Sequence, residues 1–396
     1  MQIKLTRSVT LPDPVRVARY AHYPELGPRI LFFSGGSALR QLSREIIQYT
    51  HNSIHIITTF DSGGSSAVLR KAFGMPAIGD IRNRLMSLAD RTLHGNPAIF
   101  ELFSYRFPEN EDNKKLRGLL HQMIKGKNRL VADIPDPMRK IIRNSLHHFR
   151  SQMPEDFDLR RASIGNLVLA GGYLNSQRHL DPVIFIFSKL VQVRGTVRPV
   201  VNANLHLVAR LFNGTLVKEQ HNLTGKAVPS ILSPVQEIFL SKQIRNPRPS
   251  KVPVREKTKK LIADAELICY PMGSFYSSLI ATLLPQGIGK AIHDNPCPKV
   301  FIPNTCPDPE LFGTSINDQV DILIRYLCRD DPTVIKKGNM LDMIIVDQKN
   351  GRYDGTLDKR KLKAMGITLI DSRLISREST PYIDEKLLIP LLLTLA

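Results

Sequence analysis

A chain of 396 residues, 42% of them hydrophobic, has the length and apolar content for one large domain or two ordinary ones with a sizeable core. No stretch approaches the ~20 apolar residues that a membrane-spanning helix needs. The opening MQIKLTRSVT lacks the apolar centre of a secretion signal, and four cysteines without CxxC spacing argue against a disulfide scaffold, so a cytoplasmic protein with reduced thiols is expected. The formal net charge of +19 favours anionic partners: nucleotides, nucleic acid or an acidic protein surface.

Residues 1–27 read as an extension ahead of the first strand. Ile30–Ser34 is an apolar run expected to form a buried strand, and Leu39, Leu42 and Ile46 then recur at helical spacing. Between them stand Gly35, Gly36 and Ser37. Glycine lets a backbone approach phosphate oxygens, and a following helix offers free N–H groups and a favourable dipole. The stretch has neither the GxGxxG spacing nor the Gly-Lys-Ser/Thr of a P-loop, so a tight strand–helix corner is the plain alternative.

The unit then repeats. A strand is expected over Ile54–Phe60, followed by the loop DSGGSS and a helix. Gly63, Gly64, Ser65 and Ser66 are candidates to face phosphate. Asp61 is a candidate Mg²⁺ ligand, or simply a cap or turn residue. MPAIGD enters a third helix in which Ile81, Leu85 and Leu88 share a face. Asp80 reads as its N-cap, with metal ligand or general base as the alternative, and Arg82 and Asn83 lie in its first turn. This order predicts an α/β, Rossmann-like, doubly wound and mostly parallel sheet, with ligands outside the carboxyl ends of the strands.

From 108 to 161 the chain turns polar and basic, with helical pieces such as MRKIIRNSLHHF. A mostly helical insertion is expected, offering a docking surface to an acidic protein. Its basic stretches are not interleaved with stacking aromatics and the chain has no tryptophan, which argues against a nucleic-acid groove. The pair His147–His148 lacks a metal partner at a recognised spacing. Ser163, Gly165 and Asn166 form another small-residue turn before an apolar helix. Leu205, Leu207, Ala209 and Leu211 alternate and lead to Asn213-Gly214, a hairpin signal. Residues 247–260 read as an exposed basic connector. ELICYPMGSFYSSLIATLL is strand, turn (Gly273, Ser274) and helix. KVFIPNT, DMIIVD and ITLID are further strands, and Ile316, Val320, Leu323 and Leu327 stripe a helix. Residues 331–396 supply C-terminal strands and, in the apolar stretch Leu387–Leu395 that Pro390 interrupts, a packed terminal helix.

Taken in order, SGGSALRQL, TTFDSGGSSAVLR, GDIRNRLMSLAD, ELFSYRF, SIGNLVLAG, LVARLFNGTLV, ICYPMGSFYSSLI and KVFIPN resemble the CofD/YvcK family over roughly residues 28–330. The chain looks most like a divergent CofD-like branch, of the kind found beside an ATP-grasp enzyme and a kinase-like protein (the GAK system). The resemblance implies one CofD-like domain over 28–396 and, from relatives, a homodimer. CofD proper is 2-phospho-L-lactate transferase. It moves a phospholactyl group from a guanosine-diphosphate-linked donor to a deazaflavin hydroxyl with Mg²⁺. YvcK-type relatives bind nucleotide sugars without known catalysis. Carried onto this chain, the transferase reading sets the donor's diphosphate on the turns at Gly35–Gly36, Gly64–Ser65 and Gly273–Ser274, and Mg²⁺ on Asp61 and Asp80. Arg82 or Lys71 would add charge stabilisation.

The chain also departs from the family. GGTG becomes Gly35-Gly36-Ser37-Ala38, and Ser62 stands where many relatives carry a second acid. GHSxGN lacks its histidine, and GPGS becomes Pro271-Met272-Gly273-Ser274. These changes touch the deazaflavin pocket and the donor more than the phosphate-facing frame.

Overall fold

The computed structural model describes residues 8–92, 95–225, 231–330 and 339–396. The first seven residues of the extension and residues 331–338, where the C-terminal unit begins, lie outside the described residues.

The strands are β1 (Ile30–Ser34), β2 (Ile54–Ile57), β3 (Thr196–Pro199), β4 (His206–Leu211), β5 (Leu216–Lys218), β6 (Val235–Ser241), β7 (Leu267–Tyr270), β8 (Lys299–Phe301), β9 (Met343–Val346) and β10 (Thr368–Asp371). Seven of them form one parallel sheet in the order β10-β9-β8-β7-β1-β2-β3. Every residue of β1, β2 and β7 is buried, as expected of parallel strands covered on both faces. Alternation along β1 divides the interior. Ile30 and Phe32 join one core with the helices Gly79–Ser87, Ile164–Asn175 and Glu385–Leu395. Leu31 and Phe33 join the other, with Glu256–Ala263, Ile316–Leu327 and the small sheet. That small sheet is antiparallel, in the order β5-β4-β6, and contains the expected hairpin, with Gly214 at φ +84° in its turn.

The chain grows outward from β1 in both directions, so the strand order reverses between β1 and β7. A crevice opens there at the carboxyl ends, the usual ligand position in such sheets.

The basic stretch 108–161 contains the helices Asn113–Lys125, Arg129–Ala132 and Met138–Gln152. Its apolar stripe, including Leu116, Leu120, Ile142, Leu146 and Phe149, is buried in the first core. Met138–Gln152 lies so close on Ile164–Asn175 that a Cβ on Gly171 would collide with the Ser145 carbonyl. The stretch is therefore fused to the sheet's covering layer.

Three local expectations differ from the structure. The second strand stops at Ile57: Thr58 N still donates to the Ser34 carbonyl, but beyond it the chain leaves the sheet, and the Thr59 carbonyl accepts from Ala77 N. The connector 247–260 is only partly exposed, since Val254 and Thr258 are buried and a helix starts at Glu256. Asp80 is not the N-cap of its helix: Ile78 occupies that position and makes no side-chain cap. Ser66 Oγ, 2.5 Å from where a Cβ of Gly79 would stand, packs against Gly79. The helix starts two residues earlier than read, at Gly79, with Asp80 in its first turn. Among the described residues, no helix is long and apolar enough to cross a membrane.

Candidate functional site

The predicted site residues fall into two neighbouring groups. The first lines a cleft of about 630 Å³ at the strand-order reversal. Gly35, Gly36 and Ser37 enter it from β1, and Gly273 and Ser274 from β7. The glycines after β1 are required by packing. A Cβ on Gly35 would stand 2.5 Å from Ser278 Oγ, and one on Gly36 would collide with the Asp80 carboxylate. The turn is held from behind by Arg84, which is fully buried. Its Nη2 donates to the Gly35 carbonyl at 2.9 Å and to Ser34 Oγ at 3.3 Å, while Nη1 donates to the Leu39 carbonyl at 2.8 Å and to Ser43 Oγ. Burial pulls this guanidinium down to about 10, against the pull of Asp80.

The turn after β7 is already satisfied by the protein. Gly273 N donates to Asn304 Oδ1 at 2.8 Å and Phe275 N to Asp308 Oδ2 at 2.9 Å. Tyr276 N and Ser277 N each donate to Glu310 Oε2 at 2.8 Å, and Ser277 Oγ donates to Glu310 Oε1. Two acids thus occupy the N-terminus of the helical turn Phe275–Ile280, where an anionic ligand was expected. Burial, and then Asp308, push the Glu310 carboxyl up to about 8.

The second group lines a pocket of about 280 Å³ beyond β2: Asp61, Gly63, Gly64, Ser65, Ser66, Asp80, Arg82, Asn83 and Asn166. Asp61 Oδ1 accepts from Gly63 N at 3.0 Å, the turn role. Its Oδ2 lies 3.6 Å from where a Cβ of Gly79 would be, so both acids border the start of the helix Gly79–Ser87. Arg70, itself buried, fixes the loop by donating Nη1 to the Phe60 and Asp61 carbonyls at 3.1 and 3.0 Å.

Three helices begin at this pocket, Gly64–Phe73, Gly79–Ser87 and Ile164–Asn175, and none has a side-chain N-cap. Asn166 Nδ2 donates to Ser65 Oγ at 2.9 Å and ties two of these starts together. Arg82 donates to Asn83 Oδ1 at 2.8 Å and to the Phe103 carbonyl at 3.2 Å. Its Nε and Asn166 Oδ1 are buried without a hydrogen-bond partner, although the two residues are only 8% and 1% exposed. Unpaired buried polar atoms are costly and mark places where a ligand fits. Burial, and then Arg106 and Arg40, pull the Arg82 guanidinium down to about 10.

Ser163 lines an adjoining cavity, Gly165 packs under the Phe103 carbonyl and lines neither pocket, and Lys71 is exposed outside both. The sequence reading missed Arg106, which lines the second pocket because an isolated bridge pairs it with Ser163. Its signal was a lone cation within the aromatic-rich ELFSYRF. It also missed that Ser62 shares a 2.9 Å hydrogen bond with His221 Nδ1. Among the described residues, no group of three His, Cys, Asp or Glu side chains is placed to hold a metal. The two carboxylates nevertheless suit Mg²⁺, which commonly binds through one or two carboxylates together with phosphates and water.

Residues 30–375 match the family described as 2-phospho-L-lactate transferase CofD. The chain is similar to a "Gluconeogenesis factor" of Bacillus subtilis, 27% identical over 357 residues, covering 88% of this chain and 92% of the relative. It is also similar to a "Gluconeogenesis factor" of Halalkalibacterium halodurans, 26% identical over 346 residues, covering 86% and 88%. A Clostridium acetobutylicum relative, 24% identical over 357 residues, is longer: the match covers 88% of this chain and 65% of that one. The crystal structure of a UPF0052 family member from Bacillus halodurans superposes with a TM-score of 0.66 at 22% identity, covering 92% of this chain and 98% of the other, and so shares its fold.

Proposed function

The chain belongs to the CofD family, and from that premise we propose that it is a Mg²⁺-dependent transferase using a nucleoside-diphosphate-linked donor, of guanosine type or a nucleotide sugar, and a hydroxyl acceptor. One observation carries the reading: three helix starts without side-chain caps converge on the Asp61–Asp80 pocket beside the unpartnered Arg82 Nε. Free N–H groups, helix dipoles and a buried guanidinium favour phosphate oxygens. The donor's diphosphate occupies this pocket. Its nucleoside lies in the neighbouring cleft, whose Glu385 suits the N–H groups of a base better than phosphate.

Asp61 and Asp80 hold the Mg²⁺, which offsets charge on the phosphoryl oxygens and the leaving group. Arg82 and Arg106 add fixed positive charge to the same side. The acceptor oxygen bonds to the donor's distal phosphorus as that atom's bond to the bridging oxygen breaks. A nucleoside monophosphate leaves and the hydroxyl proton passes to water. Positioning supplies most of the remaining rate.

A thermal-shift series with GDP, with and without Mg²⁺, tests the reading. A Mg²⁺-dependent rise that Asp61→Asn removes is expected. A second reading, a nucleotide-sugar sensor without catalysis, is favoured by Ser62, which stands where a second acid is common and bonds to His221. A shift with a nucleotide sugar that persists in EDTA would select the sensor and reject the transferase.

A further inference from the structure

We propose that the cavity beside the Asp61–Asp80 pocket is the acceptor subsite, and that it takes a hydroxyl compound with an apolar body and an anionic group. The proposal rests on the transferase reading above.

The cavity measures about 530 Å³ and shares Gly64, Ser65, Arg106 and Asn166 with the smaller pocket. The two spaces therefore adjoin. One side of the cavity is apolar, built from Val68 and Leu69 on the helix Gly64–Phe73, together with Phe157 and Leu167. The other carries Arg106, Arg160 and Arg161. Two of these charges are already matched: Arg160 bonds Asp158 at 2.8 Å and Arg161 pairs with Glu109. Arg106 instead gives Nη1 to the Arg161 carbonyl at 3.0 Å, and no carboxylate pairs with it among the described residues. Arg106, exposed at the cavity rim, is the one guanidinium of the three without a carboxylate partner among the described residues, and an anionic group on the occupant is the chemistry that would pair with it.

A second observation is independent of charge. Asn166 is 1% exposed, lines both spaces, and keeps Oδ1 without a donor because Nδ2 is committed to Ser65. An oxygen acceptor at the junction suits a donating hydroxyl, which it would hold on the Asp61–Asp80 side. A third lies in the backbone. Arg161 has φ +59°, costly for a side-chain-bearing residue, and the conformation is held by its N–H on the Phe107 carbonyl at 3.1 Å. It turns the Arg161 carbonyl onto Arg106 and fixes the free guanidinium at the rim. An apolar wall, one unmatched cation and one unmatched hydroxyl partner define an anionic, partly apolar alcohol. A neutral ring system would leave Arg106 unanswered.

The test uses the full chain and three probes: 4-(hydroxymethyl)benzoate, benzyl alcohol and benzoate, titrated by ligand-observed NMR. 4-(Hydroxymethyl)benzoate, which carries the apolar body, the anion and the hydroxyl together, is expected to bind at least tenfold more tightly than either of the others. Val68→Trp fills the cavity from a wall position that is 40% exposed, and Arg106→Gln removes the cation. Each is expected to weaken 4-(hydroxymethyl)benzoate at least tenfold, while Val68→Trp leaves GDP–Mg²⁺ affinity within twofold and the melting temperature unchanged. 4-(Hydroxymethyl)benzoate binding that survives both substitutions, equal binding of benzyl alcohol or of benzoate, or no binding at all overturns the proposal. GDP that fails to bind wild type, with the 4-(hydroxymethyl)benzoate result as expected, fails the transferase reading separately. It also rejects the acceptor role while supporting the ligand preference of the cavity.

Discussion

The two crevices at the carboxyl edge of the sheet are built from the same materials and finished differently. Both gather small-residue turns at helix starts. Between β1 and β7 the protein answers most of its own groups, Arg84 Nε excepted: Arg84 grips the Gly35 carbonyl, and Asp308, Glu310 and Asn304 take the N–H groups after β7. Beyond β2 it leaves groups open, with three helix starts without side-chain caps and unpartnered atoms on Arg82 and Asn166. Strand order shows where ligands gather in such a sheet, but hydrogen-bond accounting shows which end of a ligand each crevice suits.

The largest expected effect breaks the satisfied side. Arg84→Met leaves the buried Gly35 carbonyl without its Arg84 donor and takes one donor each from the Leu39 carbonyl and Ser43 Oγ, and should cost about 3 kcal/mol, read by chemical denaturation. Loss of under ~1 kcal/mol would mean that the clamp is redundant.

Asp61→Asn breaks the open side. With GDP at a hundred times its dissociation constant, wild type should gain about 2.7 kcal/mol, and the Mg²⁺-dependent part should vanish in the variant. Apo stability should be kept, because asparagine can still accept from Gly63 N. A Mg²⁺-dependent gain equal to wild type would remove Asp61 from the centre.

Glu310 sharpens the contrast through pH. Its folded pKa, raised to about 8, lies above the ordinary glutamate value of 4.5. Between those values the native state holds the proton more tightly than the unfolded chain. Stability should therefore fall as pH rises from about 4.5 to about 8, by up to ~1.4 kcal/mol per unit, and level off above. Glu310→Gln should flatten that decline in melts across the range; an unchanged slope would assign it to other groups.

The smallest effect is Ser65→Ala, which removes the partner of Asn166 Nδ2 and should cost about 1 kcal/mol. The cost should shrink in GDP–Mg²⁺ if the ligand supplies a new partner.

Much of the scaffold was legible because local pattern and tertiary role coincide. Ile30–Ser34 is buried on both faces and reads as a continuous apolar strand, and the alternating Leu205, Leu207, Ala209 and Leu211 are buried on one face, although Val208 on the other face is buried too. β3 was missed because TVRP is four residues long and ends in proline, a natural edge strand with little periodic signal. Asp80 misled because its sequence neighbourhood is that of a cap, whereas the packing of Gly79 on Ser66 starts the helix earlier and leaves the carboxylate beside Gly36. The division of the small-residue turns into two crevices was not legible at all. It depends on Asp308 and Glu310 meeting amides some 33 residues upstream in the chain, and on Arg106 pairing with Ser163.

The helix Gly79–Ser87 has a further consequence. On one rigid rod it carries Arg84, which grips the first loop, and Asp80 and Arg82, which wall the second pocket. Filling either crevice fixes the same rod. A nucleoside and a pyrophosphate offered as separate fragments should therefore assist each other's binding, because the ordering cost of that helix is met only once.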